Sequence, residues 1–410
     1  MPMFETLRSV MRFRKFETDP VARRLARCAS VDDLREIARR RLPRGVFGYI
    51  DGAAEDERTQ GRNCEAFRRL EFRPRVLKDV TDVDPATTVL GKKKSMPLIL
   101  APTGFSRIAH SEGELAVARA AARAGITYSL STLGTRSIED VAAVSDGAKW
   151  FQVYVWKDRG LVKELLERAR AAGYEAILFT VDVPVLGRRE RDVRFGFTLP
   201  PQLGLDTLID GILHPGWTWD FIRSDPILFS SAISRDSAHG GGVDAMGLAE
   251  YVNTQFDPKL TWSDVEWLRS IWDGPIVIKG IQTLEDAELS ADVGADGIVL
   301  SNHGGRQLDD APPTLELVAP VADRVGDRLD VLVDGGIRRG SDIAKAVALG
   351  ARACLVGRAY FYALGAGGEQ GVDLVLKWFD EGFRRTMALL GARTVDEIGR
   401  DMVTWRDRVS

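Results

Sequence analysis

The chain has 410 residues, of which 45% are hydrophobic and 28% are charged, a composition typical of a folded protein with a large apolar core. Its 56 Lys and Arg residues nearly balance 59 Asp and Glu residues, and the net charge of -3 lacks the basic excess of nucleic-acid-binding proteins. No run approaches the roughly 20 apolar residues of a membrane-spanning helix, and three scattered cysteines predict neither a disulfide framework nor a zinc site.

The first 30 residues are locally basic and lack the apolar core of a signal peptide. They predict a solvated N-terminal tail on a cytoplasmic protein, with a weak membrane-surface anchor as the alternative. Residues 31–41 then have the pattern of a short amphipathic helix, which Leu42-Pro43 ends.

From residue 96 onward, short apolar runs alternate with Ala-, Leu- and Arg-rich helical stretches. The runs are 97–101, 127–130, 150–155, 176–181, 275–279, 297–301, 331–334 and 353–356, and the helical stretches are 113–124, 138–144, 161–172, 283–293, 314–325 and 341–349. Uninterrupted hydrophobic strands separated by helices indicate a parallel sheet that is buried on both faces. Eight such units over about 250 residues predict an α/β fold of the closed TIM (β/α)8 type. An open, doubly wound sheet is the alternative, but the phosphate loop expected after its first strand is missing.

The domain organisation follows from this alternation. We expect an N-terminal tail over residues 1–30, one barrel domain with an N-terminal helical segment over 31–390, and a C-terminal tail over 391–410. Residues 195–258 lie between the fourth and fifth strands, contain Pro200-Pro201 and three glycines at 240–242, and show no helix–strand alternation. We therefore expect a long loop insertion after strand 4, and such loops are usually functional.

Polar residues end or follow all eight predicted strands. In a barrel of this kind, the C-terminal ends of the strands form the active site. The polar residues are, in chain order, Thr103, Ser131, Thr132, Gln152, Tyr154, Thr180, Asp182, Arg188, Arg189, Lys279, Ser301, Asn302, His303, Arg306, Asp334, Arg338 and Arg358. A purely structural barrel would not need them, so the sequence predicts an enzyme.

Glycines directly follow the seventh and eighth strands. Gly335-Gly336 precede Arg338, and Gly357 precedes Arg358. Free backbone N–H groups beside guanidinium groups are how a barrel binds phosphate. Either cluster alone would be ordinary turn chemistry, whereas the pair on successive strands predicts a phosphate site.

His303 is a candidate general base. A carboxylate such as Asp182 can fix one ring nitrogen and leave the other to accept a proton. No second His, Cys or carboxylate pair accompanies His303, so we expect no metal. Arg189 and Arg306 are candidates for binding a substrate carboxylate, although any single arginine can be a surface ion pair.

Lys279 ends a buried strand, and a buried ammonium group needs an anionic partner. Three roles remain open from the residues alone. Lys279 can form a Schiff base, pair with a carboxylate, or face the electron-rich edge of a cofactor ring.

Seven motifs together resemble the FMN-dependent α-hydroxy acid oxidase and dehydrogenase family. They lie in family order at residues 41–57, 101–104, 151–154, 180–184, 277–280, 301–309 and 334–340. The likeness covers the chain from about residue 31 to about residue 390 and is greatest to bacterial L-lactate dehydrogenases of the LldD type. So many ordered motifs are far more specific than one short motif.

The resemblance implies a barrel that binds FMN and oxidises an L-2-hydroxy acid, most simply L-lactate to pyruvate. The catalytic residues it implies are His303, Asp182, Lys279 and Tyr154, and the substrate-binding residues are Tyr49, Tyr154, Arg189, His303 and Arg306. The cofactor-binding residues it implies are Pro102, Thr103, Gly104, Ser131, Gln152, Thr180, Lys279, Ser301, Asp334, Gly335, Gly336, Ile337, Arg338, Gly357 and Arg358.

Two positions bear on the electron acceptor and the substrate. Family oxidases generally carry alanine at the position of Gly104, so glycine favours a dehydrogenase that passes electrons to quinone or a cytochrome. An oxidase that uses O2 and forms H2O2 is the alternative, and a flavin-barrel isomerase is a remote one. Plant glycolate oxidases carry tryptophan at the position of Leu133, which disfavours glycolate.

Segment 205–245 is rich in apolar and aromatic residues. In related dehydrogenases this loop is associated with membrane docking, which implies peripheral contact with the inner face of the cytoplasmic membrane. Packing on the barrel or on another subunit is an equal alternative. The family resemblance also implies a homo-oligomer, in the form of a homotetramer.

Overall fold

The computed structural model describes residues 17–196, 204–227 and 254–406. Its strands are β1 (Leu70–Phe72), β2 (Thr87–Val89), β3 (Lys92–Lys94), β4 (Leu98–Leu100), β5 (Thr127–Ser131), β6 (Lys149–Val153), β7 (Ala176–Thr180), β8 (Ile276–Ile281), β9 (Gly297–Leu300), β10 (Asp330–Asp334), β11 (Ala353–Val356) and β12 (Val403–Trp405). Strands β4 to β11 pair in chain order and β11 pairs in parallel with β4, which closes the barrel. The predicted fold class is confirmed, and each predicted strand lies within two residues of its observed bounds.

The helices before the insertion are α1 (Pro20–Leu25), α2 (Val31–Arg41), α3 (Arg44–Asp51), α4 (Arg58–Arg69), α5 (Gly113–Arg123), α6 (Ile138–Ala143), α7 (Arg159–Ala171) and α8 (Glu190–Arg194). They are followed by α9 (Leu205–Leu213), α10 (Pro215–Arg223), α11 (Ser263–Ile271), α12 (Leu284–Asp292), α13 (Thr314–Val325), α14 (Gly340–Ala348) and α15 (Arg358–Leu390). None of the helices in the described ranges is both long and apolar enough to cross a bilayer.

The barrel strands form because their side chains are buried on both faces. Every residue of β5, β6 and β7 is buried, as expected for strands that contact the barrel interior on one side and helices on the other. Inside the barrel, Trp150, Leu178 and Leu332 belong to an apolar cluster that also includes Val89 of the β2–β3 hairpin. The Leu90 N–H donates to the Asp330 carboxylate at the start of β10, so the hairpin covers the N-terminal end of the barrel. Chemistry is therefore expected at the C-terminal end of the barrel.

The two segments predicted as tails differ from that prediction. Helix α1 is capped by Asp19, and its buried Leu25 belongs to the main core. At the other end of the chain, β12 pairs antiparallel with β1, and the Arg69 guanidinium lies over the Trp405 ring. Long-range packing therefore orders the described parts of both segments, residues 17–30 and 391–406, and sequence periodicity does not reveal such packing. Residues 1–16 and 407–410 lie outside the described residues.

The insertion, predicted as a loop over 195–258, contains the helix pair α9 and α10. The pair docks on the barrel through polar contacts. The Trp217 indole donates to the Ile108 carbonyl at 2.7 Å, and the Asp220 carboxylate accepts from the Ser111 N–H at 2.9 Å and hydroxyl at 2.6 Å. Each helix has only nine residues, which hid the helical pattern, although Pro215 at the first position of α10 is typical of a helix start. Residues 197–203 and 228–253 lie outside the described residues.

Candidate active site

A cleft of about 1360 Å³, measured out to its open mouth, lies at the C-terminal ends of the barrel strands. Every catalytic, substrate-binding and cofactor-binding residue that the family resemblance implies lines this cleft, with the exceptions of Asp182 and Ser301. Those two residues lie behind the surface, where they contact lining residues. The structure therefore brings the whole predicted set together, from Tyr49 on α3 to Arg358 at the start of α15.

Asp182 and His303 form a pair at one side of the cleft. The Nδ1 atom of His303 lies 3.0 Å from Asp182 Oδ1 and 3.2 Å from Oδ2, which leaves Nε2 for the cleft. His303 adopts φ 57°, and its N–H donates to the Ser301 hydroxyl at 3.0 Å. Gly280 makes room for the pair, because a Cβ there would lie 2.7 Å from the Asp182 Cβ.

The electrostatics of this pair suit a general base. Burial lowers the pKa of His303 below its ordinary 6.5, nearby Lys279 adds to this effect, and Asp182 opposes it. Burial alone would raise the pKa of Asp182, but His303 and Lys279 bring it below its ordinary 3.8. At neutral pH the structure thus holds a neutral imidazole beside an ionised carboxylate, the arrangement in which Nε2 can accept a proton.

Lys279, Ser301 and Asp334 form a second buried network behind the cleft. The Lys279 ammonium lies 3.2 Å from the Asp334 carboxylate and donates to the Ser301 hydroxyl at 3.0 Å, and this hydroxyl donates to Asp334 at 2.9 Å. Burial opposes the charge of Lys279, but Asp334 and Asp182 outweigh it and raise its pKa. A permanently charged ammonium disfavours the Schiff-base role and leaves the other two roles.

Several buried polar atoms around the cleft lack a hydrogen-bond partner among the described residues. They are Gln152 Nε2, Thr180 Oγ1, Arg189 Nε, Asp334 Oδ1 and Arg358 Nε. The Gln152 amide oxygen accepts from the Ser131 hydroxyl at 3.0 Å, so the amide is oriented and its nitrogen is left as a donor. Each unsatisfied buried group costs about 1–3 kcal/mol. The cleft is therefore suited to a large polar ligand that supplies these partners.

The far end of the cleft is suited to a phosphate. Gly335 and Gly336 adopt φ values of 91° and 89°, and a Cβ on Gly336 would lie 2.3 Å from the Asn63 carbonyl oxygen. The Arg358 guanidinium is fixed by donation to the carbonyls of Gly304 and Gly52, each at 2.7 Å. Glycine backbone and a fixed guanidinium group together form an anion cradle. The orphaned polar atoms and this cradle fit a ring system joined to a phosphate, as FMN is.

The opposite end of the cleft carries two arginines. Arg306 donates to the carbonyls of Tyr49 at 2.7 Å and Gly52 at 3.0 Å, and its guanidinium lies 4.9 Å from the centre of the Tyr49 ring. Burial and the nearby charge of Arg189 lower the pKa of Arg306 to about 9. Asp192 lies 4.0 Å from Arg189, and burial raises the pKa of Asp192, which makes it a weak counter-ion. Two partly buried guanidinium groups therefore favour an incoming anion.

Sequence reasoning missed part of the apolar wall. Phe256 returns from the insertion, forms an antiparallel bridge with Trp156, and packs edge to face on Tyr154 with ring centroids 5.2 Å apart. Val183 and Phe361 also line the cleft. Phe256 lies in a short polar stretch without periodicity, so no sequence signal could have placed it.

Comparisons with known proteins agree with this geometry. The family model described as FMN-dependent dehydrogenase matches residues 38–405. A protein of Mycobacterium tuberculosis is 48% identical over 405 residues, which are 98% of this chain and 96% of that protein. L-lactate dehydrogenase of Caulobacter vibrioides is 45% identical over 379 residues (92% of this chain, 98% of that protein), and glycolate oxidase of Spinacia oleracea is 44% identical over 374 residues (91% and 95%).

Among solved structures, (S)-mandelate dehydrogenase, described as a monotopic membrane protein, superposes with a TM-score of 0.88 at 39% identity. The match covers 92% of this chain and 99% of that one. The chain belongs to the FMN-dependent dehydrogenase family. It is thus an oxidoreductase, and the predicted cofactor, FMN, is confirmed by the family.

The pKa of His303 offers a direct test of the Asp182–His303 pair. In the flavin-loaded enzyme we expect His303 to titrate below 6.5, because it is buried, and its proton-accepting form to be lost as the pH falls through that pKa. Asp182→Asn should lower the pKa further, because the carboxylate that raises it is gone. NMR titration of ¹³C-labelled imidazoles measures both, since the chain has four histidines and His303→Gln assigns the signal. An unchanged or higher pKa in Asp182→Asn would contradict the pairing.

Proposed function

We propose that the protein oxidises an L-2-hydroxy acid to the 2-oxo acid, with L-lactate and pyruvate as the first candidates. The observation that carries this proposal is the convergence of a neutral imidazole and two partly buried guanidinium groups on one cleft. A carboxylate needs the guanidinium groups, and the neighbouring C–H and O–H groups need a base. The name of the Caulobacter relative favours lactate within this class.

Substrate binding falls to Arg189, Arg306, Tyr49 and Tyr154. The two guanidinium groups would hold the substrate carboxylate by charge-assisted hydrogen bonds. Burial raises the pKa of Tyr154, so its hydroxyl stays protonated and acts as a donor toward the substrate. Leu133 lies beside Gly104 in the same cleft and offers an apolar surface for a small side chain such as a methyl group.

Proton transfer falls to His303. Its Nε2 accepts one proton from the substrate, and the Asp182 carboxylate at Nδ1 stabilises the imidazolium that results. FMN, when bound, supplies the capacity to accept two electrons. The residues that would hold its ring are Pro102, Thr103, Gly104, Ser131, Gln152, Thr180, Lys279 and Ser301, and those that would hold its ribityl chain and phosphate are Asp334, Gly335, Gly336, Ile337, Arg338, Gly357 and Arg358.

For the electron acceptor, we propose quinone or a cytochrome. Gly104 supports this assignment, because oxidases of the family generally carry alanine there. An O2-dependent oxidase is the second candidate, and the 44% identity to spinach glycolate oxidase favours it. A flavin-barrel isomerase has no use for Arg189 and Arg306 around a carboxylate, and no observation supports it.

Anaerobic bleaching of the flavin tests the proposed reaction. L-lactate should bleach the flavin absorbance of the purified enzyme, and D-lactate should not. His303→Gln should keep the flavin and slow bleaching about 10²- to 10⁴-fold, the usual contribution of a general base. Bleaching of His303→Gln at a near-normal rate would refute the base assignment. Admission of air then separates the acceptors, since rapid peroxide release would favour the oxidase.

We also propose that helices α9 and α10 contact a membrane peripherally. Their outer face is apolar, with Leu208, Ile212, Trp219 and Ile222 exposed to 64%, 68%, 59% and 70%. Their inner face already docks on the barrel through Trp217. An exposed apolar face on an amphipathic helix pair suits the interface of a bilayer. The name of the structural neighbour as a monotopic membrane protein supports this proposal.

The homotetramer implied by the family resemblance stays a prediction.

Vesicle flotation tests the membrane proposal. Serine substitutions at Leu208, Ile212, Trp219 and Ile222 should lower binding to phospholipid vesicles at least about tenfold, because each removes apolar area from the bilayer. The matched control replaces exposed side chains elsewhere, Leu77 and Leu389. Equal flotation of both variants and wild type would contradict membrane contact, and a changed oligomeric state of the first variant would indicate a subunit interface instead.

A further inference from the structure

The start of the insertion is fastened to the N-terminal segment by three charged residues, Asp51, Arg191 and Glu57, which we call the clasp. Arg191 on α8 donates from Nη1 to Asp51 Oδ2 at 2.6 Å and from Nη2 to Glu57 Oε2 at 2.5 Å. The Asp51 side chain is 2% exposed, whereas that of Arg191 is 33% exposed. Arg191 does not line the cleft, and none of the roles above uses it.

Asp51 is satisfied even without Arg191. Arg35 donates to both of its carboxylate oxygens, at 2.6 Å and 2.8 Å, and the Tyr362 hydroxyl donates to Oδ1 at 2.7 Å. Burial opposes its charge, but these partners and Arg191 lower the pKa of Asp51 to about 2. Since Arg35 and Tyr362 leave neither carboxylate oxygen of Asp51 without a donor, the need to bond this buried group does not by itself explain Arg191.

The clasp joins the two chain segments that carry Tyr49 and Arg189, two of the substrate-binding residues. Asp51 lies two residues after Tyr49 in the last turn of α3, and Arg191 lies two residues after Arg189 in the first turn of α8. The bond from Arg191 to Asp51 therefore holds the backbone of Arg189 in place relative to Tyr49.

The clasp also contacts the peptide that holds the third of these side chains. The stem of Arg191 packs on Gly52, where a Cβ would lie 3.4 Å from Arg191 Cδ. The Gly52 carbonyl accepts from Arg306 at 3.0 Å and from Arg358 at 2.7 Å. Arg191 thus contacts the backbone segments that hold Tyr49 and Arg306, and it lies on the same helix turn as Arg189.

We propose that Arg191 is a positioning residue that sets the distances among Tyr49, Arg189 and Arg306 and so determines the affinity for the substrate carboxylate. The proposal rests on the proposed function. Arg189 itself is held weakly, since its ion pair with Asp192 is 4.0 Å long. Its guanidinium therefore follows the backbone of α8, and displacements of about 1 Å at such groups have large kinetic effects.

The test compares Arg191→Gln with Arg35→Gln in the flavin-loaded enzyme. Both substitutions remove one arginine from Asp51, but only Arg191→Gln removes side-chain bonds that hold α8. We expect Arg191→Gln to raise KM for L-lactate, and Kd for pyruvate measured from the flavin spectrum, by about tenfold, with kcat changed less than about threefold, because uniform binding is lost. Arg35→Gln should keep KM within about twofold. Both variants should retain wild-type flavin content.

Two further variants keep the test decisive. Glu57→Gln should raise KM in the same direction, and Arg191→Lys should give an intermediate KM, because an ammonium group keeps the charge but lacks the planar fork with which the guanidinium group spans two carboxylates. Equal KM values in Arg191→Gln and wild type, or equal increases in Arg191→Gln and Arg35→Gln, would overturn the positioning role. If no L-2-hydroxy acid bleached the flavin of the wild-type enzyme, the proposed function itself would be overturned. Failure of the positioning role and failure of the proposed function therefore give different results.

Discussion

The contact between the Asp182 carboxylate and the His303 imidazole organises the C-terminal end of the barrel. Burial alone would raise the pKa of Asp182, but the nearby His303 and Lys279 bring this pKa below its ordinary value and so favour the carboxylate form. The same contact directs His303 Nε2 to the cleft. Two local features make the contact possible: Gly280, where a side chain would strike Asp182, and the Ser301 hydroxyl, which accepts the His303 N–H. Three neighbouring strands, β7, β8 and β9, therefore cooperate to hold one pair of side chains.

The interior and the N-terminal end of the barrel stabilise the fold, whereas the C-terminal end carries the residues for chemistry. The interior around Trp150 and Leu332 is apolar and is closed below by the β2–β3 hairpin. The upper end carries buried polar atoms without partners in the described chain, such as Gln152 Nε2 and Thr180 Oγ1. A folded protein retains such costly groups where a ligand satisfies them. Their position above the closed core is consistent with a family whose members require FMN.

Much of the fold and the residues of the candidate site could be predicted from the sequence. Unbroken apolar runs predicted the barrel strands, because a parallel strand that is buried on both faces does not alternate apolar and polar residues. Ordered motifs placed His303 with Asp182 although 121 positions separate them. Features that depend on long-range contacts could not be predicted. The pairing of β12 with β1, the position of Phe256 beside Tyr154, and the bond from Arg191 to Asp51 leave no local pattern.

A crystal structure of the flavin-loaded enzyme with bound pyruvate would test the central claim most directly. The account requires His303 Nε2 to lie within hydrogen-bond distance, about 3 Å, of the oxygen on C2 of pyruvate, with Asp182 still at Nδ1. It also requires the pyruvate carboxylate to contact the guanidinium groups of Arg189 and Arg306. A His303 ring turned away from the bound molecule, or a carboxylate held elsewhere in the cleft, would contradict it.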